Sequence, residues 1–384
     1  MPFQKLNYLE PDPIFALNQE FQLDQNPDKI NLGIGVITND QSKTYAFESL
    51  QNIIIPKNND YLPILGDKFF KKNFEDFFLD FTDKDNITSV QTAGGTHANF
   101  LASKLFQKMG FKKIYFPNYT WVNHHGIFEE AGLKIGELNY YDAKKQKLKE
   151  NFLNSIEKIA DNSLLSLDAC GHNPTGVDLN SAEITEIIKI AKKKNLFFFI
   201  DAAYVGLVNE TIEKDLELVK RLYEAKITFA LAFSFSKNMS LYGHRLGVLT
   251  LLNIKNDKTK IESNLAKIIR SNISNAPRYS SDLATQILGD KIISKKWQEE
   301  LNQIKNNMSE MRRQLVCKLN SYKINIANEI TNQKGLFSLL PNLDTEKLKK
   351  DYAIYIPKNG RINISSIKPN NLDRLAEAIS KSLI

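Results

Sequence analysis

The chain has 384 residues, of which 42% are hydrophobic and 25% charged, so it is long enough to bury a large core and is typical of a globular rather than a disordered protein. Its formal net charge of +7 is compatible with a nucleic-acid partner, but the lysines are scattered among Asn, Asp and Glu, and no arginine-rich block or DNA-binding motif occurs. Two cysteines, Cys170 and Cys317, provide no disulfide framework, and the apolar runs are too short to span a bilayer, so we expect a cytoplasmic protein without a signal peptide.

The first thirty residues predict an extended arm followed by a short helix over 11–21. The next segment, Ile30 to Val36, predicts a brief strand that contains Gly33 and Gly35. These glycines permit two interpretations, a bulge with tight packing or a close approach of the backbone to a ligand. The sequence leaves both open.

From about residue 60, signals for strands and helices alternate. Helical periodicity covers 65–81 and 181–194, and short apolar strands are predicted at 87–92, 113–117, 164–168, 196–201, 228–233 and 246–252. This alternation predicts an α/β fold with a mostly parallel sheet covered by helices on both faces. A long helix over 294–319 then leads to strands at 335–340 and 360–366, which predict a smaller α+β part.

Polar and glycine residues follow several of these strands. Ligands of open α/β sheets bind at the carboxyl ends of the strands. The loops in question contain Gly94, Gly95, Thr96, Asn173, Asp201 and Lys237. Their shared position predicts a binding site at that edge of the sheet.

Lys237 follows the strand over 228–233, with the hydroxyls of Ser234 and Ser236 just before it and Arg245 shortly after it. A lysine amine in this position can condense with an aldehyde cofactor, while hydroxyls and a guanidinium hold the phosphate of that cofactor. The alternative interpretation is a solvated loop end, because most lysines are exposed.

The loop Gly94-Gly95-Thr96 offers free backbone N–H groups and a hydroxyl at a helix start, which favours a bound phosphate or, alternatively, an N-capped turn. His97 is predicted to be a surface residue of that helix, without a role. Trp121 lies in a loop after a strand, where its ring either stacks on a heteroaromatic cofactor or belongs to the core.

The string His172-Asn-Pro-Thr-Gly176 predicts a turn, from which Asn173 can donate an amide hydrogen bond to a phenolic oxygen or a carboxylate. Asp201 ends an apolar strand, where its carboxylate needs a partner such as a protonated ring nitrogen, with Tyr204 in reach of the same ligand. A helix N-cap is the alternative for Asp201.

Arg270 and Arg361 each lie in an apolar or turn context. Arginine binds carboxylates through two parallel hydrogen bonds, so the pair suits a dicarboxylate substrate. A structural ion pair is the alternative for each of them.

Five short motifs of the chain occur in the order found in class I aminotransferases: Gly-Gly-Thr, His-Asn-Pro-Thr-Gly, Asp-x-Ala-Tyr, Ser-x-Ser-Lys-Asn and Arg-x-Asn-x-Ser-Asn-x-Pro. Over nearly its whole length the chain resembles their aspartate and aromatic amino acid branch, which are pyridoxal-phosphate enzymes of fold type I. The resemblance implies a large, mostly parallel-sheet domain over 38–303 and a smaller α+β domain built from both termini, 1–37 and 304–384.

The resemblance also implies roles at the cofactor, pyridoxal 5'-phosphate. Lys237 would bond covalently to it and move the substrate proton, while Asp201, supported by His124, would keep its ring nitrogen protonated. Tyr204 and Asn173 would bond its phenolic oxygen, and Trp121 would stack on its ring. The implied catalytic residues are Lys237, Asp201, Trp121 and Tyr204. The implied phosphate site consists of Gly94, Gly95, Thr96, Ser234, Ser236, Arg245 and, from a second subunit, Tyr61.

At the substrate, the resemblance implies that Arg361 binds the α-carboxylate, with Asn173, Trp121 and the backbone near Gly35. Arg270 of a neighbouring subunit would bind the distal carboxylate. No metal is implied. The chain departs from the family pattern at Ile37, His97 and Ala276, which we expect at the substrate entrance or the cofactor rim, where they affect the range of substrates.

These features predict a homodimeric transaminase that acts on aspartate or glutamate with 2-oxoglutarate or oxaloacetate by a ping-pong mechanism. A broad aromatic aminotransferase is the nearest alternative. A pyridoxal-phosphate lyase or decarboxylase shares the lysine and the aspartate but has no evident need for Arg270. A sensor domain of a transcription regulator would carry an added DNA-binding segment, for which the short N-terminal arm leaves no room.

Overall fold

The computed structural model describes residues 2–51, 53–54, 58–145, 147–148, 150–324 and 330–384. Its strands are β1 Ile30–Asn31, β2 Ile87–Thr92, β3 Lys113–Pro117, β4 Lys134–Leu138, β5 Tyr141–Asp142, β6 Lys147–Leu148, β7 Leu164–Asp168, β8 Phe197–Ala202, β9 Phe229–Ser234, β10 Gly247–Leu252, β11 Phe337–Leu339, β12 Ile354–Tyr355 and β13 Arg361–Asn363.

Its α-helices are α1 Pro13–Leu23, α2 Glu48–Gln51, α3 Lys68–Phe78, α4 Gly95–Lys108, α5 Asn123–Glu130, α6 Phe152–Glu157, α7 Ser181–Lys194, α8 Ile212–Asp215, α9 Glu217–Glu224, α10 Lys258–Asn272, α11 Arg278–Gly289, α12 Lys291–Ser321, α13 Thr345–Tyr352 and α14 Pro369–Lys381. Short 3₁₀ helices lie at Pro2–Lys5, Lys84–Asn86, Lys255–Asp257 and Ile364–Ser366. No helix of the described residues is long and apolar enough to cross a membrane.

In the described part of the chain, a seven-stranded sheet in the order β2-β10-β9-β8-β7-β3-β4 forms the centre. All neighbouring pairs from β9 to β4 are parallel, whereas β10 is antiparallel to both β9 and β2. The prediction of a mostly parallel α/β sheet is therefore confirmed. The direction of β10 was not predicted; it follows because the connection over 235–246 contains no helix that could carry the chain back for a parallel strand.

Helices cover the sheet on both faces, which explains why β8 is apolar from Phe197 to Ile200. Phe198 and Ile200 belong to the hydrophobic cluster of one face, and Phe199 between them belongs to the cluster of the other face, each with 0% exposure. A strand that is buried on both sides has no polar face, so the usual alternation is absent.

The preceding helix, α7, begins and ends at residues suited to those positions. The side chains of Asn180 and Glu183 form a reciprocal capping box at its start, and Asn195, at φ 51°, ends it in the left-handed conformation. Between these ends, isoleucines at helical spacing are buried against the sheet. The helix thereby delivers the chain to the start of β8 at Phe197.

The smaller part joins both ends of the chain. β1 pairs in parallel with β12, and β11 pairs antiparallel with β13. α12 begins at Lys291, earlier than predicted, because the Asp290 side chain accepts hydrogen bonds from the N–H groups of Ile292 and Ile293. This helix is continuous across the predicted domain boundary at 303/304, so the division into 38–303 and the two terminal segments stays a prediction. Residues 1 and 325–329 of those segments lie outside the described residues.

Several predicted elements are shorter in the structure. The strands expected at 335–340 and 360–366 cover Phe337–Leu339 and Arg361–Asn363, and the reason is evident for two others. The strand expected over Ile30–Val36 ends at Asn31, because the Asn31 side-chain oxygen accepts hydrogen bonds from the N–H groups of Gly33 and Ile34 and turns the chain. The helix expected over 65–81 covers Lys68–Phe78, since Asp67 caps its start by accepting from the Phe70 N–H at 2.8 Å.

Candidate active site

The amine of Lys237 lies beyond the end of β9, within a cleft between the central sheet and the smaller part. Lys237 Nζ donates to the carbonyl oxygen of Gly35 and lies 4.9 Å from the centre of the Tyr242 ring. A methyl group added to Gly35 would lie 3.5 Å from that Nζ and 3.2 Å from the Phe337 ring. Close packing around the amine therefore explains this glycine.

Burial, together with the nearby positive charges of Arg361 and Arg245, lowers the pKa of Lys237 to about 7. A substantial fraction of the amine is consequently neutral at physiological pH. Only the neutral amine is nucleophilic, so Lys237 is suited to attack an aldehyde. The solvated-loop alternative does not fit this side chain.

A compact group suited to an anion lies beside Lys237, at the start of α4. Gly94 adopts φ 83°, and a methyl group on it would lie 2.4 Å from Arg245 Nη2. A methyl group on Gly95 would lie 3.0 Å from the Ser234 side chain. Arg245 Nη1 is 3.4 Å from Ser236 Oγ, and Thr96 is exposed in the first turn of α4. The structure thus brings together a guanidinium, two serine hydroxyls and a helix N-terminus, which together favour a phosphate.

Asp201 lies near the end of β8, and its carboxylate is held by neighbouring side chains. Oδ2 lies 3.2 Å from His124 Nε2 and 3.3 Å from Asn99 Nδ2, and Oδ1 accepts from the Ala203 N–H at 3.0 Å. The N-cap alternative fails, because in the described chain the next α-helix begins at Ile212. His124 is itself buried, and its Nδ1 is 2.8 Å from the Thr120 hydroxyl.

Asn173 joins Tyr204 to Arg361. Its Nδ2 donates to the Tyr204 hydroxyl at 3.2 Å, and its Oδ1 accepts from Arg361 Nη1 at 3.2 Å. Arg361 Nη2 also donates to the Gly33 carbonyl at 2.6 Å, and its guanidinium lies 4.1 Å from the centre of the Phe337 ring.

Arg361 is only 5% exposed, yet its Nε has no hydrogen-bond partner and no carboxylate lies within 4 Å of it among the described residues. The structural ion pair is therefore not observed. Burial lowers the pKa of Arg361 and raises that of Tyr204, which keeps the Tyr204 phenol neutral. A buried guanidinium with free donors is a site for an anion from outside the protein.

Trp121 is half-buried at the wall of this cleft, with its ring edge-on to His124 at 5.3 Å. The other tryptophan, Trp297, is fully buried and donates from Nε1 to the Asn238 carbonyl at 2.7 Å. The core alternative therefore applies to Trp297 and not to Trp121.

Tyr61 and Arg270 lie on a different surface. Tyr61 is 88% exposed, and Arg270 is exposed with its Nη1 donating to Ser274 Oγ. No hydrogen bond or ion pair joins either of them to the residues around Lys237 in the described chain. The two segments adjoin each other, because Arg278 donates to the Asp60 carbonyl at 2.9 Å and Asn275 Nδ2 to the Leu62 carbonyl at 2.6 Å.

The three departures from the family pattern have buried side chains: Ile37 is 1%, Ala276 6% and His97 8% exposed. The prediction that His97 is a surface residue is wrong. Its Nδ1 accepts from the Ala93 N–H at 3.0 Å and its ring stacks on Phe100, so the side chain folds back over the first turn of α4. Burial lowers the pKa of His97 to about 4 and keeps it neutral.

Four contributors to the site were not predicted, although two left a signal in the sequence. Tyr242 lies inside the string that contains Lys237 and Arg245, and Asp168 ends its strand much as Asp201 ends the next one. Phe337 and Asn99 carried no signal, because their approach to Arg361 and to Asp201 depends on how separate elements pack.

Known proteins are similar to this chain along its length. A family model described as aminotransferase class I and II matches residues 27–379. The mitochondrial aspartate aminotransferases of Gallus gallus and Xenopus tropicalis are 33% and 34% identical, over 96% of this chain and 91% and 90% of theirs.

Solved structures are similar as well. An aromatic-amino-acid aminotransferase from Burkholderia pseudomallei, covalently bound to pyridoxal phosphate, matches with a TM-score of 0.93 and 29% identity over 100% of this chain and 99% of its own. The aspartate aminotransferase from Saccharomyces cerevisiae cytoplasm matches with a TM-score of 0.93 and 30% identity over 99% of this chain and 98% of its own.

Proposed function

The chain belongs to the class I and II aminotransferases, and from this membership we propose that it transfers an amino group between aspartate or glutamate and a 2-oxo dicarboxylic acid. Its cofactor is pyridoxal 5'-phosphate. The observation that carries the proposed binding of an amino acid is Arg361, a buried guanidinium without an acidic partner in the described residues, linked through Asn173 to the cleft that holds the Lys237 amine. The choice of a dicarboxylate rests on Arg270.

The side chains in the cleft fit this cofactor. Gly94 and Gly95 leave space that a single methyl group would fill, directly against Arg245 and Ser234. These residues, with Thr96 and Ser236, would hold the phosphate, since the arginine supplies charge and the helix start supplies N–H donors. The lowered pKa of Lys237 would supply a neutral amine at the aldehyde end.

When bound, pyridoxal phosphate links to amines through its aldehyde and withdraws electrons from the substrate Cα through its ring. Lys237 Nζ would take the proton from that carbon and deliver it to the cofactor, and would carry it back in the reverse half-reaction, which its pKa of about 7 permits in both directions. Asp201 would hold a proton at the ring nitrogen, with His124 and Asn99 fixing the orientation of its carboxylate. Asn173 and the neutral phenol of Tyr204 would contact the phenolic oxygen, and Trp121 would cover one ring face.

The substrate α-carboxylate would bind to Arg361, with Asn173 and the backbone near Gly35 beside it. Bidentate contact would satisfy the free Nε and replace the missing acidic partner. The Phe337 ring, 4.1 Å from the guanidinium, would hold Arg361 in place from the other side.

The distal carboxylate would be bound by Arg270 of a second subunit. The segments that contain Arg270 and Tyr61 are joined by hydrogen bonds to the Leu62 and Asp60 carbonyl groups. A second copy of the chain would therefore supply both side chains to the same cleft. The N-terminal arm supports a homodimer as well, because large hydrophobic side chains such as Phe3 and Tyr8 are 77% and 80% exposed on it.

A broad aromatic aminotransferase is the second candidate. Two of the similar solved structures, from Burkholderia pseudomallei and Burkholderia cenocepacia, are aromatic aminotransferases with 29% and 27% identity. Arg361 would serve an aromatic substrate equally, because the α-carboxylate is common to both classes. Arg270 is the residue that favours the dicarboxylate. None of these contacts favours a lyase or a sensor domain.

The proposal is tested by comparing amino donors with 2-oxoglutarate as the acceptor. We expect kcat/KM for aspartate and cysteine sulfinate to exceed that for tyrosine and phenylalanine, with no turnover by the Lys237→Ala variant as the control. Higher kcat/KM for the aromatic donors would replace the first proposal by the second. Absence of transfer from every donor by cofactor-loaded protein would contradict both.

The proposal extends to a cytoplasmic location. Buried Cys170 and exposed Cys317 are both free thiols, as expected in a reducing compartment. Similar proteins named as mitochondrial make the mitochondrion the alternative, which cell fractionation with antibody detection would decide.

A further inference from the structure

Two carboxyl groups end neighbouring strands of the central sheet. In the parallel pair of β7 and β8, Asp168 lies opposite Asp201. Paired residues of adjacent parallel strands point to the same side of the sheet, with backbones about 4.8 Å apart. The two carboxyl groups are therefore neighbours at the edge of the sheet where the cleft lies.

The two groups have unequal partners. Asp201 contacts the side chains of His124 and Asn99 and one backbone N–H. Among the residues that the structure describes, the Asp168 side chain accepts one hydrogen bond, from the backbone N–H of Asn173 to Oδ2 at 3.0 Å. Within the described residues, no lysine, arginine or histidine nitrogen lies within 4 Å of the Asp168 carboxyl group.

Burial raises the pKa of Asp168 well above its ordinary value, and the charge of Asp201 beside it raises it further. Within the described residues, four further acids interact with Asp168 through their charges, and burial raises the pKa of each: Tyr140, Cys170, Asp178 and Tyr204. None of them can offer a positive charge. Burial and the neighbouring acid therefore both favour the protonated form of the Asp168 carboxyl group.

The one partner of Asp168 is the residue that organises the substrate side of the cleft. Asn173 contacts the Tyr204 hydroxyl with Nδ2 and Arg361 with Oδ1, both at 3.2 Å. The backbone bond from Asn173 to Asp168 Oδ2 holds the main chain from which that side chain extends. Loss of this acceptor would let Asn173 shift against both partners at once.

We propose that Asp168 is a positioning residue of the active site, a neutral carboxyl group that fixes Asn173 and leaves Asp201 as the single negative charge of the pair. The inference rests on the proposed function for what binds at Asn173 and Asp201. The protonation of Asp168 and its bond to Asn173 do not depend on that function, and they are measurable without turnover.

The first test is infrared difference spectroscopy of wild type against Asp168→Asn, in H₂O and D₂O at pH 7.5. We expect wild type to show the carbonyl band of a protonated carboxylic acid, sensitive to D₂O and absent from the variant. Loss of carboxylate bands alone would mean that Asp168 is ionised and would overturn the inference. This result stands whether or not the protein transfers amino groups.

The second test uses two substitutions of the same residue. Asp168→Ala removes the acceptor of the Asn173 N–H and is expected to raise KM for aspartate about tenfold or more, with a smaller change in kcat. Asp168→Asn keeps a neutral oxygen acceptor and is expected to restore most of that loss. An unchanged KM in the alanine variant would overturn the positioning role.

The Asp168→Asn variant also tests whether Asp168 is charged in the protein that has bound its cofactor. The absorbance of the cofactor bound to Lys237 changes with pH, and its midpoint depends on the negative charge nearby. We expect the midpoints of wild type and Asp168→Asn to coincide, because neither side chain is charged. A shift of about one pH unit would show that a charge had been removed. Both measurements on Asp168→Asn stand if the alanine variant does not fold, and failure of the proposed function would appear separately, as wild type that transfers no amino group.

Discussion

Replacing Lys237 with methionine is expected to stabilise the protein prepared without its cofactor. Methionine has a similar length and no charge, so it can occupy the same space. Burial and the charges of Arg361 and Arg245 lower the pKa of Lys237 from its ordinary value of 10.5 to about 7. At about 1.4 kcal/mol for each pH unit, the charged amine costs the folded state at most about 5 kcal/mol. Loss of the bond to the Gly35 carbonyl offsets about 1 kcal/mol of the gain.

The gain should depend on pH in a definite direction. Between about pH 7 and pH 10.5 the unfolded chain binds a proton at Lys237 that the folded chain does not, so the free energy of unfolding of wild type rises with pH. The variant lacks this slope. Its advantage should therefore be largest below pH 7, about 4 kcal/mol, and fall to about 1 kcal/mol at pH 9.

Urea denaturation of both proteins at pH 6, 7, 8 and 9, at one protein concentration, would measure the difference. Lys220→Met is the matched control, because the Lys220 side chain is 51% exposed on α9 and its loss should change stability by less than about 0.5 kcal/mol at every pH. If Lys237→Met were less stable than wild type at pH 6, or if its gain in stability were the same at pH 6 and pH 9, the conclusion that the buried charged amine destabilises the fold would be wrong.

Three further outcomes are expected. Asp201→Ala should lower kcat at saturating cofactor by about two to four decades, because removing one partner of a buried charge pair costs roughly 3–5 kcal/mol; a loss below tenfold would contradict the role of Asp201 at the ring nitrogen. Arg270→Ala should lower kcat/KM for aspartate a hundredfold or more, on the order of 3–5 kcal/mol, and kcat/KM for phenylalanine far less, so equal losses for both donors would exclude the distal-carboxylate role. Mixing Arg270→Ala subunits with Lys237→Ala subunits should restore some activity, and no recovery despite subunit exchange would exclude active sites shared between subunits. Gly94→Ala should weaken cofactor binding in equilibrium titrations at least about tenfold, since its methyl group would lie 2.4 Å from Arg245. Gly110→Ala is the control, because Gly110 has φ 93° and open space around it, so this variant has the backbone strain without the clash and should bind the cofactor normally. Equal weakening in both variants would point to strain alone.

Local sequence patterns were sufficient to predict the strands and helices that are determined by interactions within their own segment. The apolar run at β8 and the amphipathic α7 were predicted because burial on both faces of a strand and on one face of a helix leaves direct marks on the residues. The cluster of Lys237, Asp201 and Asn173 was predicted as one site for a related reason, since strands of a parallel sheet end at a common edge. The resemblance to the aminotransferases, carried by the same loops, is confirmed by the family match over residues 27–379.

Contacts between distant segments were decided only by the tertiary structure. The direction of β10, the burial of His97 and the approach of Phe337 to Arg361 depend on which elements become neighbours. The pKa of Lys237 belongs here too, because burial and two arginines from other parts of the chain set it. The sequence by itself predicted Lys237, Asp201 and Asn173 as residues that carry the chemistry, because residue type and local pattern are enough to nominate them. The pairing register of β7 and β8 places Asp168 beside Asp201. This contact was not predictable, because the local sequence of a strand does not show which strand it will pair with.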